Sequence, residues 1–198
     1  MPESVAGDVV LQAGQARATI RPLAGARVCD LVLQHPDGHT VPILYPYRAP
    51  DVDAVHWAKG GIYPLVPYSN RIGHGQLNHP GGLVRLPAHP NTHPHTLHGH
   101  AHVVPWELVA QGAATAHLRL DSPPCDAWPW HFQADTALSH LVLHRPADPL
   151  YLCIEPVSHV ADGFNLAARA VRGTGSVFLP QGGQLRGELT LSLSDTIF

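Results

Sequence analysis

Proline and glycine are spread so densely through this chain that a long helix has almost nowhere to form. The 198 residues include 20 Pro and 18 Gly, and both residue types weaken or end helices. Between them lie short stretches with apolar residues at alternate positions, such as "VVLQAG", "ARATIRP" and "ARVCDLVLQ" between Asp8 and Gln34. This alternation is typical of strands with one buried face. We therefore predict an all-β protein built from many short strands.

Further strands follow the same logic along the chain. The Pro-Asp-Gly sequence at residues 36–38 favours a turn, with a strand in the following "VPILY". "PWELVAQGAATAHLRLD" predicts two strands around a glycine turn, and "PLYLCIEPV" predicts a short strand that ends at a functional loop. The alternation from Leu185 to Leu193 predicts a closing strand. Because all-β domains of this length often stay undivided, we expect a single domain over residues 1–198.

Charge and composition exclude several classes of partner. The formal net charge is −3 and no Lys or Arg cluster occurs, so neither nucleic acid nor an anionic membrane is expected as a partner. The apolar runs fall far short of the roughly 20 residues that cross a bilayer. The first residues do not resemble a secretory signal, which favours a cytoplasmic location. Cys29, Cys125 and Cys153 are expected to be small buried residues without disulfides.

One stretch is unusual because it combines apolar residues with turn formers and an arginine. "GGIYPLVPYSNRIGHGQL" covers residues 60–77 and places Arg71 among neighbours that look buried. A guanidinium offers five hydrogen-bond donors in fixed directions, which suits an oxygen-rich ligand. The same group could instead bind loop carbonyls or a carboxylate. The residues alone leave the ligand-binding and structural interpretations of Arg71 open.

Two further regions carry groups that could do chemistry. In an extended "THPHTLHGH" segment, His93 and His95 would face the same way and could bind a metal with Glu155, or the segment could be a solvated loop. A cupin-like metalloenzyme would use His98 with these residues. Glu155 ends an apolar stretch, where loss of hydration would raise the pKa of its carboxyl and favour a role as a base. Alternatively, its side chain simply points into solvent.

Several separated segments together resemble one family. "GGIYPLVPYSNRIGHGQL", "LHG" followed by Trp106, "CIEPVSHVADGFN" and "LPQGGQLRGELTL" occur in the order and character seen in aldose 1-epimerases, the galactose mutarotases. The cupin-like alternative does not explain the Asn-Arg-Ile or Leu-Pro-Gln-Gly-Gly sequences. The resemblance implies an antiparallel β-sandwich of the galactose mutarotase type, with a sugar pocket on the face of a large sheet.

The resemblance also implies roles for particular residues. Arg71 would bind sugar hydroxyls with support from Asn70, His98 would contact the sugar near its ring oxygen, and Glu155 would be the general base. Such a protein interconverts the α and β anomers of a hexose by opening and closing the ring. No metal and no cofactor are implied, and the expected partner is a small-molecule sugar. The oligomeric state does not follow from these motifs.

The chain departs from the family in its centre. The family's second histidine, the acid that protonates the ring oxygen, lies in a Leu-His-Pro-Tyr-Phe-like segment that this sequence lacks. The sequence predicts an internal deletion near 136–140 and an incomplete sandwich. His131 and His140 flank the junction but match no motif, so His98 is the better substitute acid. Any epimerase activity should then depend on Glu155 and His98; the alternative is a catalytically impaired, carbohydrate-binding relative.

Overall fold

The computed structural model describes residues 6–34, 37–48, 60–135, 141–144, 153–156 and 159–186. These residues form thirteen strands and one short α-helix, and all strand pairs in the described sheets are antiparallel. The strands are β1 (Val9–Ala13), β2 (Ala16–Arg21), β3 (Arg27–Gln34), β4 (Thr40–Pro42), β5 (Arg71–Ile72), β6 (Gln76–His79), β7 (Gly82–Arg85), β8 (Thr96–Leu97), β9 (Glu107–Gln111), β10 (Ala116–Ser122), β11 (Phe132–Asp135), β12 (Leu141–His144) and β13 (Cys153–Pro156). The all-β class and the antiparallel pairing are confirmed.

Two larger sheets form the main body. One has the order β1-β2-β3-β4, the other has the order β11-β10-β9, and neither closes into a barrel. The strands expected before Gln34, the strand after the Pro-Asp-Gly turn and the pair around the glycine turn are all present. The predicted strand from Leu185 to Leu193 falls mostly outside the described residues, as does the predicted deletion near 136–140.

Apolar residues from both larger sheets share one core. Trp106 lies at its centre, with 4% of its surface exposed, and its indole N–H donates to the carbonyl of Ala101 at 2.8 Å. The other buried members are Val9, Ile20, Ala26, Ala101, Leu118, Leu120 and Ala134. Burial of this apolar surface is the main term that holds the two sheets together.

A second core joins the smaller elements. Helix α1 (Gly163–Ala168) places Phe164 against Tyr68, Ile72, Leu77 and Leu86, which belong to the motif stretch and the hairpin after it. The sequence shows no helical period here, because a helix of six residues is too short to display one. None of the described helices is long and apolar enough to cross a membrane.

The structure describes the surroundings of Cys29 and Cys125, and only Cys29 is buried as predicted. Cys29 is 1% exposed on β3, and burial raises the pKa of its thiol. Cys125 is exposed, which corrects the prediction. It follows two prolines and pairs with Trp128 across a tight turn, and a turn of this kind projects from the surface.

Candidate active site

Two residues from separate sequence motifs meet where β5 and β8 pair. Opposite residues are Arg71 with Leu97 and Ile72 with Thr96, so the residues just outside the ladder, Asn70 and His98, are also neighbours. Each bonds the other: the His98 N–H donates to the Asn70 carbonyl at 2.9 Å, and the Asn70 N–H donates to Nδ1 of His98 at 3.0 Å. The short ladder therefore brings together Asn70, Arg71 and His98, three of the four predicted site residues.

Both residues of this pair have left-handed backbone conformations, with φ of 58° at Asn70 and 62° at His98. Residues other than glycine seldom adopt this region, although asparagine and histidine do so more readily than most. Such conformations cost free energy and persist where the surrounding structure fixes them. Here the reciprocal hydrogen bonds supply that restraint.

Arg71 lies on the outward face of β5. Its neighbour Ile72 is only 1% exposed and points into the second core, so strand alternation directs Arg71 to the surface. Its N–H donates to Oδ1 of Asn70 at 2.9 Å, and its guanidinium lies 3.4 Å from the same oxygen. Tyr68 and Ile72 beside it are buried, as the sequence suggests, while Arg71 itself is exposed.

The environment of His98 keeps its imidazole neutral near pH 7. Burial lowers its pKa to about 4, and the positive charge of Arg71 acts in the same direction. Because Nδ1 accepts a hydrogen bond from Asn70, the proton of the neutral ring is assigned to Nε2. His98 is therefore suited to donate a hydrogen bond and poorly suited to deliver a proton as an imidazolium.

Histidine and tyrosine rings pack next to His98, and the sequence did not predict this packing. The ring of His102 meets that of His98 edge-on at 6.1 Å and stacks on Tyr63 at 5.9 Å. The guanidinium of Arg27, fully buried, lies between Tyr63 and Tyr47, at 3.8 and 4.3 Å from their ring centroids. Burial lowers the pKa of His102 to about 3. The only sequence signal was the density of histidines around residue 100.

The remaining candidates lie elsewhere. Glu155 is on β13 and lies opposite Val142 of β12, in a separate two-stranded sheet. The structure describes the strand pairing of this sheet but not its side chains. No described contact connects Glu155 with Asn70 or His98, so its role as the base stays a prediction. His131 is exposed, and its Nε2 lies 2.6 Å from a carboxylate oxygen of Asp121. His140 falls outside the described residues.

The extended arrangement that would align His93 and His95 does not form. His93 lies in a turn after a short 3-10 helix, and Nδ1 of His95 accepts the N–H of His74 at 3.0 Å. Over the described ranges, no three His, Cys, Asp or Glu side chains group in a way that could hold a metal ion. This absence does not extend to Glu155, because its side chain is not described.

Comparison with known families shows which family the chain belongs to. The sequence model of the aldose 1-epimerase family matches residues 8–139, two thirds of the chain. This match includes the whole of the Asn70, Arg71 and His98 cluster. The chain therefore belongs to the aldose 1-epimerase family.

Solved structures agree on the fold. A candidate aldose 1-epimerase from Escherichia coli K12 matches with a TM-score of 0.53 at 18% identity, over 71% of this chain and 42% of that one. This likeness supports the galactose mutarotase fold.

Two further structures are similar. The Slr1438 protein of Synechocystis sp. PCC 6803 has a TM-score of 0.49 at 26% identity, over 77% of this chain and 48% of its own. A GalM/aldose epimerase homologue of C. elegans has a TM-score of 0.46 at 20% identity, over 60% and 36% respectively. This chain thus spans less than half of each structure. No curated protein matched it.

Proposed function

We propose that this protein binds a hexose and interconverts its α and β anomers. The observation that carries the proposal is the reciprocal hydrogen bonding of Asn70 and His98, which sets an exposed Arg71 beside a neutral histidine. Directional donors of this kind suit the hydroxyl groups of a sugar. Membership of the aldose 1-epimerase family supports a sugar as the ligand.

The reaction needs a base and a source of one proton. Glu155 would take the proton of the anomeric hydroxyl while the bond from the anomeric carbon to the ring oxygen breaks and the ring oxygen takes a proton from solvent water. Rotation of the resulting aldehyde and reversal of these steps give the other anomer. Arg71 and Asn70 would hold the hydroxyls that do not react, which keeps the opened chain in place.

His98 limits how fast this can proceed. Its Nε2–H can donate a hydrogen bond to the ring oxygen, which stabilises negative charge there. With a pKa of about 4, however, few molecules carry the imidazolium form near pH 7. This observation favours a second candidate function, in which the protein binds the sugar with little or no turnover.

Polarimetry on freshly dissolved α-D-glucose and α-D-galactose distinguishes the two functions. For an epimerase we expect faster mutarotation that Glu155→Gln abolishes and His98→Asn lowers by about a hundredfold, as removal of a hydrogen-bond donor to a developing negative charge does. His131→Asn is the matched control, because that histidine is exposed and bonded to Asp121 on another sheet. Folding of each variant is checked by circular dichroism.

Each outcome decides between the candidates. Acceleration that persists in Glu155→Gln and His98→Asn contradicts the assigned roles. Absence of acceleration, together with binding of galactose or glucose in titration calorimetry, favours the binding function. A folded protein that neither accelerates mutarotation nor binds these sugars overturns both candidates.

A further inference from the structure

The backbone around Arg71 is hydrogen-bonded to a segment that follows β13 in the sequence. Nε2 of His159 accepts the N–H of Ser69 at 3.3 Å. The N–H of Asp162 donates to the carbonyl of Arg71 at 2.9 Å, and Oδ1 of Asp162 accepts the N–H of Gly73 at 2.7 Å. Asp162 thus bonds the backbone of Arg71 and that of the residue two positions later.

Asp162 is itself fixed by its neighbours. Its backbone is left-handed, with φ of 54°, a conformation that aspartate tolerates better than most residues. Nδ2 of Asn165 donates to Oδ1 of Asp162 at 2.8 Å, and Oδ1 of Asn165 accepts from the side chain of Asn78 at 2.9 Å. A Cβ on Gly73 would lie 3.3 Å from both carboxylate oxygens, which shows how closely the two residues fit.

The backbone around Arg71 is therefore hydrogen-bonded on two sides. His98 bonds the N–H and the carbonyl of Asn70, Asn70 bonds the N–H of Arg71, and Asp162 bonds the Arg71 carbonyl. Within the described part of the chain, the guanidinium of Arg71 has a hydrogen bond only to Asn70, at 3.4 Å. The direction of this side chain thus depends mainly on its backbone.

We propose that Asp162 is a positioning residue for Arg71, which holds the β5 backbone so that the guanidinium is presented to the sugar. A binding group whose backbone is fixed in advance loses less conformational freedom when the ligand arrives. The proposal rests on the proposed function only in taking a sugar as the ligand. The backbone restraint itself is independent of the ligand.

Hydrogen exchange in the sugar-free protein tests the restraint. Asp162→Gly keeps the left-handed backbone without strain and keeps the N–H donor, but it removes the carboxylate. We expect the amide of Gly73 to exchange about tenfold faster or more, as loss of roughly 1.4 kcal/mol of local protection gives. Asp162→Asn retains Oδ1 as an acceptor and should keep exchange close to that of the parent protein.

Asp121→Gly provides the matched control. Like Asp162→Gly it removes a hydrogen-bonded carboxylate, in this case one bonded to His131, but it lies on β10 of another sheet. We expect it to leave exchange at Gly73 unchanged. Unchanged exchange in Asp162→Gly, or equally fast exchange in Asp121→Gly, overturns the positioning role.

Titration calorimetry with D-galactose tests the consequence for binding. We expect Asp162→Gly to bind about tenfold more weakly or worse, and Asp162→Asn to stay within about threefold of the parent protein. Circular dichroism of Asp162→Gly checks that its fold is retained. Parent-like affinity in Asp162→Gly, or equal weakening in both variants, overturns the proposal.

The two proposals fail in different ways. If the folded parent protein binds neither galactose nor glucose and accelerates no mutarotation, the proposed function fails. The exchange of the Gly73 amide then still decides whether the Asp162 carboxylate restrains the backbone at the end of β5. If the parent protein binds sugar but Asp162→Gly changes neither exchange nor affinity, the positioning role alone fails.

Discussion

The part of the chain before residue 135 and the part after residue 141 are built differently. The first part has two sheets with a shared apolar core around Trp106, and it contains Asn70, Arg71 and His98. The second has a two-stranded sheet and a short helix, and it contacts the first part both through Phe164 in the second core and through side-chain hydrogen bonds. The proposed sugar-binding residues thus lie on the small β5–β8 sheet of the first part, while residues of the second part hydrogen-bond the backbone next to them.

The largest expected effect is in the core of the first part. Trp106→Ala should lower the free energy of unfolding by about 3–5 kcal/mol, because it removes a buried aromatic ring and leaves a cavity. Urea denaturation followed by circular dichroism measures the change. Val109→Ala on exposed β9 is the control and should cost less than about 0.5 kcal/mol. Similar losses in both variants would contradict a single core at Trp106.

A change in pH is expected to have an intermediate effect on stability, through two histidines of the first part. His98 and His102 have pKa values of about 4 and about 3, below the usual value near 6.5. The unfolded chain therefore binds more protons than the folded one as the pH falls from about 6.5 toward 4. The free energy of unfolding should keep its full value above about pH 6.5, and it should fall by at least about 1 kcal/mol as the pH drops from there toward 4.

Thermal unfolding between about pH 7 and pH 4.5 measures this dependence. Besides the two rings themselves, the charged groups that lower these pKa values in the same direction as burial are Arg71, His89, Arg27 and His100. Replacement of the more deeply buried ring, as in His102→Phe, should flatten the profile. A slope as steep in this variant as in the parent protein would mean that other groups cause the pH dependence.

The smallest effect is expected where the second part attaches. Asn165→Ala removes the side-chain bridge between α1 and Asn78 on β6, and should cost about 0.5–1.5 kcal/mol, the usual net value of a hydrogen bond. Urea denaturation gives the loss, and hydrogen exchange shows where it occurs. We expect faster exchange in α1 and unchanged exchange in β10. Equal acceleration in both elements would contradict the distinction between the two parts.

The sequence predicts the sheets of the first part well, because alternation and turn chemistry are local signals. The family resemblance assigns Asn70 and His98 to one sugar site, but it did not predict their hydrogen-bonded pairing, and 28 residues separate them in the sequence. The outward direction of Arg71 depends on the register of a two-residue strand, which local composition does not specify. Asp162 gave no signal as an isolated residue, because its role depends on a contact 89 residues away.

Titration calorimetry with D-galactose and D-glucose near pH 7 tests most directly whether Asn70, Arg71 and His98 form one sugar-binding unit. We expect the folded parent protein to bind at least one of the two sugars. Arg71→Ala and His98→Asn should each bind about tenfold more weakly or worse, while His131→Asn keeps the parent affinity. No binding by the folded parent protein, or equal affinity in all four proteins, would contradict this account of the site.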